Sequence, residues 1–154
     1  MARSVERVRA ALREAGHDDN LTTFPAGTRT AADAAAAVGC AVAQIAKSIV
    51  LRAGETPVLV VASGVNRVDA VKVSALVGGE VARPDAGWVR ATTGFAIGGV
   101  SPVGHMIAPV VIIDRDLAEV GPIWAAAGAP DTVFQTDFDA LVRISGGRVG
   151  DIRE

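Results

Sequence analysis

Two apolar runs, KSIVLR at 47–52 and PVLVVAS at 57–63, flank the tight turn GET. β-branched runs of this length on either side of a short glycine turn predict a β-hairpin. Any fold for this chain must therefore contain a sheet, and the neighbouring segments have to cover it. SVERVRAALREAG (4–16) predicts a helix capped by Ser4, with Val5, Val8, Leu12 and Ala15 on one face and Gly16 as its stop. A short strand is expected around Leu21–Phe24. TRTAADAAAAVG predicts a second helix with Thr30 as cap, Asp33 at the third position and Gly39 as stop. A turn through Val42–Ile45 leads into the hairpin.

Beyond it, GVNRVDAVKVSALVGG predicts a helix capped by Asn66, with Asp69 three residues on, closed by Gly78 and Gly79. EVARP predicts a short strand, and DAGWVRATTG a brief helix ending at Gly94. The glycine- and proline-rich stretch FAIGGVSPVGHM is followed by a strand, MIAPVVIID. The acids 114 and 116 of IDRDL suit a strand-end turn. GPIWAAAG predicts a helical turn or two, TVFQT a strand, and Asp137 caps a last helix, DFDALVRISGG. Strands alternate irregularly with helices, without repeat or linker. The expectation is one mixed α/β domain over residues 1–154, with a largely antiparallel or mixed central sheet and helices around it.

Composition excludes several classes. Half the 154 residues are hydrophobic and 21% are charged, which is incompatible with disorder. Apolar runs fall short of the ~20 residues of a membrane helix, and MARSVERVRA lacks the apolar centre of an export signal. A soluble, cytoplasmic protein is expected. The single Cys40 makes no internal disulfide, and with two scattered histidines it predicts no metal site. Cys40, Trp88 and Trp124 read as core residues, and Asp33 and Asp69 as caps. The net charge of −2 argues against a nucleic-acid-coating surface. Residues 40–100 nevertheless carry six basic groups (47, 52, 67, 72, 83, 90) against four acidic ones (55, 69, 80, 85). That balance suits a site gripping a few phosphates.

Chemistry has few places to sit. Of 15 basic residues only Lys47 and Lys72 are lysines. A lysine is a compact point charge, not an arginine fork. Lys47, at the mouth of an apolar run, either snorkels into water or is held in a pocket to meet an anion. GGVSPVGH (98–105) is either a loop joining two sheet segments or a backbone-open anion cradle. It is neither a P-loop nor a dinucleotide fingerprint. Ser48 and Ser101 have no His/Asp set to make either a nucleophile, since only His17 and His105 are available.

In combination, QIAKSIVLR, PVLVVASGVNRVD, GGVSPVGH and DFDALVRISGGRVGDI resemble the YbaK/EbsC-type aminoacyl-tRNA editing domains. These are related to the editing insertion of bacterial prolyl-tRNA synthetases. The resemblance runs from about Val5 to Ile152. It implies a mixed, barrel-like sheet with surrounding helices, and hydrolysis of the ester joining an amino acid to the terminal adenosine of tRNA. Lys47 aligns with the family's site lysine. Gly98, Gly99, Val100 and Ser101 would present main-chain donors to the ester carbonyl or the attacking water. By the same resemblance Lys47, Gly98, Gly99 and Ser101 are the catalytic set, and Val100, Pro102, Gly104, His105 and Phe24 bind substrate.

No cofactor or metal is implied. The family is thought to lack a protein general base, a ribose hydroxyl of the substrate helping the water. The partners implied are a tRNA acceptor end and an aminoacyl-tRNA synthetase. Some members carry serine where this chain has Ala126, and others a polar or histidine side chain near Thr132, Val133 and Gln135. Those positions shape amino-acid selectivity. A trans-acting deacylase, with tRNA for proline carrying a small amino acid as its substrate, is the expectation. The alternatives are a non-catalytic module that binds an aminoacyl-nucleotide, a tRNA end or a synthetase, and a hydrolase of other small acyl esters or amides.

Overall fold

A computed structural model describes residues 2–24 and 30–154. The hairpin forms as expected: β2 (Ile45–Ala53) and β3 (Thr56–Ser63) pair antiparallel along their whole length, Lys47 opposite Ala62. β3 then pairs in parallel with β4 (Val110–Asp114), and β4 with β7 (Arg148–Gly150). On the other flank β5 (Ile123–Ala129) and β6 (Thr132–Thr136) form a second antiparallel pair, edged by β1 (Leu21–Thr23). The result is one mixed seven-stranded sheet, ordered β1-β6-β5-β2-β3-β4-β7.

β3 lies beside the central strand β2 and is buried on both faces. Leu59 and Val61 join the larger core with Val8, Phe95, Ile113 and Phe134, while Val58, Val60 and Ala62 join a second core with Val73 and Ile112. Period-two alternation divides one strand between two apolar layers. Among the described residues five α-helices cover the sheet. α1 (Ala2–Glu14) buries Val8 and Leu12. α2 (Ala31–Val38) carries the full capping box, Thr30 accepting from the Asp33 amide, and ends at Gly39 with φ +81°. α3 (Ala70–Val77), α4 (Ala86–Thr93) and α5 (Phe138–Ser145) start at Asp69, Asp85 and Asp137, and each stops at a glycine in the left-handed conformation.

Six expectations need correction. Ser4 does not cap α1; it lies within the helix and its Oγ donates to the Gly128 carbonyl at 2.9 Å. Asn66 does not cap α3, because Asp69 does, accepting from the amides of Val71 and Lys72. EVARP makes only a single bridge, Arg52 to Ala82. MIAPVVIID becomes strand only from Val110. GPIWAAAG is not helical: it is the strand β5. Alanine favours helix locally, but here α1 lies directly on the strand. A Cβ at Gly128 would come within 2.6 Å of the Ser4 carbonyl oxygen. The small residues make room for a helix instead of forming one. Trp88 and Trp124 are half-buried, not core, and the Arg52 guanidinium stacks 4.6 Å from the Trp88 ring centre. No described helix is long and apolar enough to cross a membrane.

Candidate active site

β2 carries the site because it changes partners. Its parallel ladder with β5 consists of only Ile45–Trp124 and Ala46–Ala125. From Lys47 onward the two strands part, while β2 stays paired to β3. The gap is closed on its far side by the segment 97–100, and a cleft remains between them. One lobe, about 310 Å³, is lined by Lys47, Ser48, Gly98 and Val100 together with Thr30 and Ala34 of the α2 start. A second lobe, about 200 Å³, shares Ser48, Ile49, Gly98 and Val100 and runs on to Val50 and Val89. Lys47 and Gly98, 51 positions apart in sequence, therefore face one cavity.

The two lysines differ in their bonding. Lys72 Nζ is tied to Asp151 Oδ2 at 2.9 Å and to the Arg153 carbonyl at 2.7 Å. Lys47 is half-buried and makes no hydrogen bond or ion pair with any described residue. Burial above all pushes its pKa below the ordinary lysine value. The Arg67 guanidinium adds to the depression, and the carboxylate of Asp114 opposes it. Lys47 is a partly desolvated cation that makes no ion pair with the one described carboxylate attracting it, and an anion entering the cleft would supply such a partner.

Asp114 is itself committed. It is 1% exposed and accepts from the Ser63 amide (2.9 Å), Asn66 Nδ2 (2.8 Å) and the Asp116 amide (2.9 Å). This is where Asn66 goes instead of capping α3. The hub fixes the end of β3, and with it the register that sets Lys47 opposite Ala62.

The glycine segment is held in shape from three sides. Gly98 has φ +95°, a conformation that favours glycine. Gly99 presses on β5, since a Cβ there would lie 2.9 Å from the Ala129 Cα. From α1, Arg7 donates to the carbonyls of Gly94 (2.8 Å) and Gly104 (2.9 Å) and stacks over the Phe95 ring at 4.7 Å. The amides of Gly98 and Val100 bond to no described group, so they remain available as donors at the cleft.

Other residues expected at the site lie elsewhere. The Gly99 amide donates to the Ala96 carbonyl at 3.0 Å, inside the turn, and is not a free donor. Ser101 is fully buried, its Oγ accepting from the Val103 amide at 3.1 Å, so its hydroxyl holds the loop and lines neither lobe. Pro102, Gly104 and His105 line a separate depression against Ala11, Glu14 and Ile144. There His105 Nε2 lies 2.6 Å from the Ser101 carbonyl, its ring edge-on to Phe95, and burial lowers its pKa. It supports the loop from behind. The Phe24 amide bonds to the Asp131 carbonyl at 2.8 Å and Phe24 lines neither lobe; residues 25–29, between it and Thr30, lie outside the described residues.

Ala126, Thr132, Val133 and Gln135 also line neither lobe. Gln135 faces a polar groove with His17 and Trp124. Sequence reasoning weighed Ser48, which lines both lobes, only as a nucleophile and set it aside, and it missed Arg7, which clamps the loop. No motif marks a serine that matters only because β2 and β5 part beside it.

The cleft brings together a cation and main-chain amides that have no partner among the described residues, and a small apolar lobe. That set can hold an anion and polarise a carbonyl. A family model for an aminoacyl-tRNA editing domain matches residues 25–144. A solved structure provisionally described as a trans-editing enzyme for prolyl tRNA synthetase superposes with a TM-score of 0.93 at 41% identity, covering 98% of this chain and 97% of that one. The hypothetical protein APE2540 superposes at 0.88 with 27% identity, covering 96% and 99%. The uncharacterized protein YwhH of Bacillus subtilis (strain 168) is 27% identical over 147 residues, 95% of this chain and 94% of its own length.

Proposed function

This chain belongs to the aminoacyl-tRNA editing domain family, and from that premise we propose that it is a free-standing deacylase that hydrolyses the ester of a mischarged tRNA. The observation that carries the reading is that Lys47 and the amide-bearing residues Gly98 and Val100 line one cleft. The likeness to a protein described as acting for prolyl tRNA synthetase favours tRNA for proline. The lobe of about 200 Å³ favours a small acyl group.

In the reaction a water oxygen bonds to the ester carbonyl carbon, and the carbonyl oxygen takes the negative charge. The Gly98 and Val100 amides and the Lys47 ammonium meet that charge. Collapse breaks the bond between the acyl carbon and the ribose oxygen, which leaves carrying the proton the water gave up. The neighbouring ribose hydroxyl relays that proton. An aminoacyl ester is already activated, so positioning and oxyanion stabilisation suffice. One such donor is worth about 2.7–4 kcal/mol. His105 need not act as a base, since it faces away from the cleft.

The test is a panel of tRNAs acylated with alanine, cysteine, serine or the cognate amino acid, with loss of ester followed over time. Turnover of a small misacylated amino acid is the expected result, and no turnover on any of them rejects the reading. Binding of a non-hydrolysable aminoacyl-adenosine with no hydrolysis of its ester counterpart would instead identify a recognition module.

A further inference from the structure

Ser48 Oγ is buried and has no hydrogen-bond partner among the described residues. A buried hydroxyl without a partner is costly and calls for an explanation. Its position supplies one, because Ser48 lines both lobes where they join, whereas Lys47 lines only the lobe beside α2. Successive residues of a strand point to opposite faces, so the hydroxyl and the ammonium of Lys47 leave β2 in different directions.

The hydrogen-bonding character of the cleft decides what the hydroxyl is for. Lys47, Arg83 and the free amides of Gly98 and Val100 are all donors. Among the described residues no carboxylate lines either lobe. Among those described residues the only lining side chains with an oxygen acceptor are Ser48 and Thr30, and the Thr30 oxygen already accepts from the Asp33 amide at 3.1 Å. An ester and its phosphate are acceptors and are amply served. The α-ammonium of the esterified amino acid is a donor, and it needs an acceptor.

We propose that Ser48 Oγ accepts a hydrogen bond from the α-ammonium of the aminoacyl group and so positions its carbonyl toward Gly98 and Val100. The proposal rests on the deacylase reading and makes Ser48 a substrate-positioning residue that selects acyl groups with a free α-amine.

The experiment is a cycle between protein and substrate. Wild type, Ser48→Ala and Ser48→Thr are each assayed on alanyl-tRNA and on the same tRNA carrying lactate, which has a hydroxyl in place of the amine. Ser48→Ala should lower kcat/KM on alanyl-tRNA about 10- to 100-fold, the range of a hydrogen bond to a charged group. On the lactyl ester the loss should be less than about 3-fold, since no charged hydrogen bond is removed there. Ser48→Thr should restore the alanyl rate. Thermal melting of Ser48→Ala should be unchanged or raised, because the variant removes an unpaired buried hydroxyl. Equal losses on both esters, or none on either, would overturn the role while leaving the deacylase standing. A wild-type protein that hydrolyses neither ester would overturn the role, and one that hydrolyses no ester of the amino-acid panel would overturn the deacylase as well.

Discussion

Replacing Lys47 with methionine keeps the length and apolar body of the side chain and removes its charge. A unit charge about 4 Å from a developing oxyanion, at an effective dielectric of about 20, interacts by about 4 kcal/mol. This agrees with the 2.7–4 kcal/mol typical of one oxyanion donor and corresponds to a loss of about 100- to 1000-fold in the chemical step. If Lys47 instead grips a phosphate equally in ground and transition states, KM rises and kcat stays. Single-turnover ester cleavage at saturating enzyme separates the two.

Stability should move the other way. The Lys47 pKa is lowered in the folded protein, mainly by burial and then by Arg67. The folded state thus disfavours its charged form. That penalty is fully present below the lowered pKa and is relieved as pH rises through it toward the ordinary lysine value. Lys47→Met should therefore melt at the same or a higher temperature than wild type near neutral pH, and the advantage should fade in alkali. A variant within about 3-fold of wild-type cleavage would fall far short of an oxyanion contact and refute the assignment. A variant that melts several degrees lower would show Lys47 to be a structural residue.

Gly98→Ala forces a side chain into φ +95°, costing about 1–2 kcal/mol, and should depress ester cleavage far more than melting temperature, as paired assays would show. Arg7→Ala deprives the Gly94 and Gly104 carbonyls of charged donors; a urea melt should record about 1.5–3 kcal/mol lost, with faster hydrogen exchange across residues 98–105. Asp114→Asn removes the one attraction that holds the Lys47 pKa up, so the alkaline limb of the pH–rate profile should move to lower pH. The same variant sets an amide among the donors of Ser63, Asn66 and Asp116 and should cost about 1–3 kcal/mol by denaturation.

The helices were legible because their ends are written locally: Thr30 with Asp33, Asp137, and the glycines at 39, 78 and 94 act within one turn of chain. The hairpin was legible for the same reason. β5 was not, since its alanines answer to a helix more than 100 residues away, as the Ser4–Gly128 bond makes plain. Asn66 misled because a capping side chain and a buried amide donor look alike until Asp114 is placed beside it. Within GGVSPVGH the sequence offered eight residues of one texture. The fold turned Gly98 and Val100 to the cleft, spent the Gly99 amide on Ala96, and put Pro102, Gly104 and His105 behind the loop.

By itself the sequence determined a mixed α/β chain, the caps at Thr30 and Asp137, the strand carrying Lys47 and the glycine segment that would answer it, because periodicity and turn chemistry act over a few residues. Only the tertiary structure decided that β2 abandons β5 after Ala46. That parting opens the cleft, leaves the Lys47 charge without a partner among the described residues and buries the Ser48 hydroxyl at the junction of its lobes. Strand pairing is settled by the packing of every layer at once, and no local stretch of chain encodes where a ladder ends.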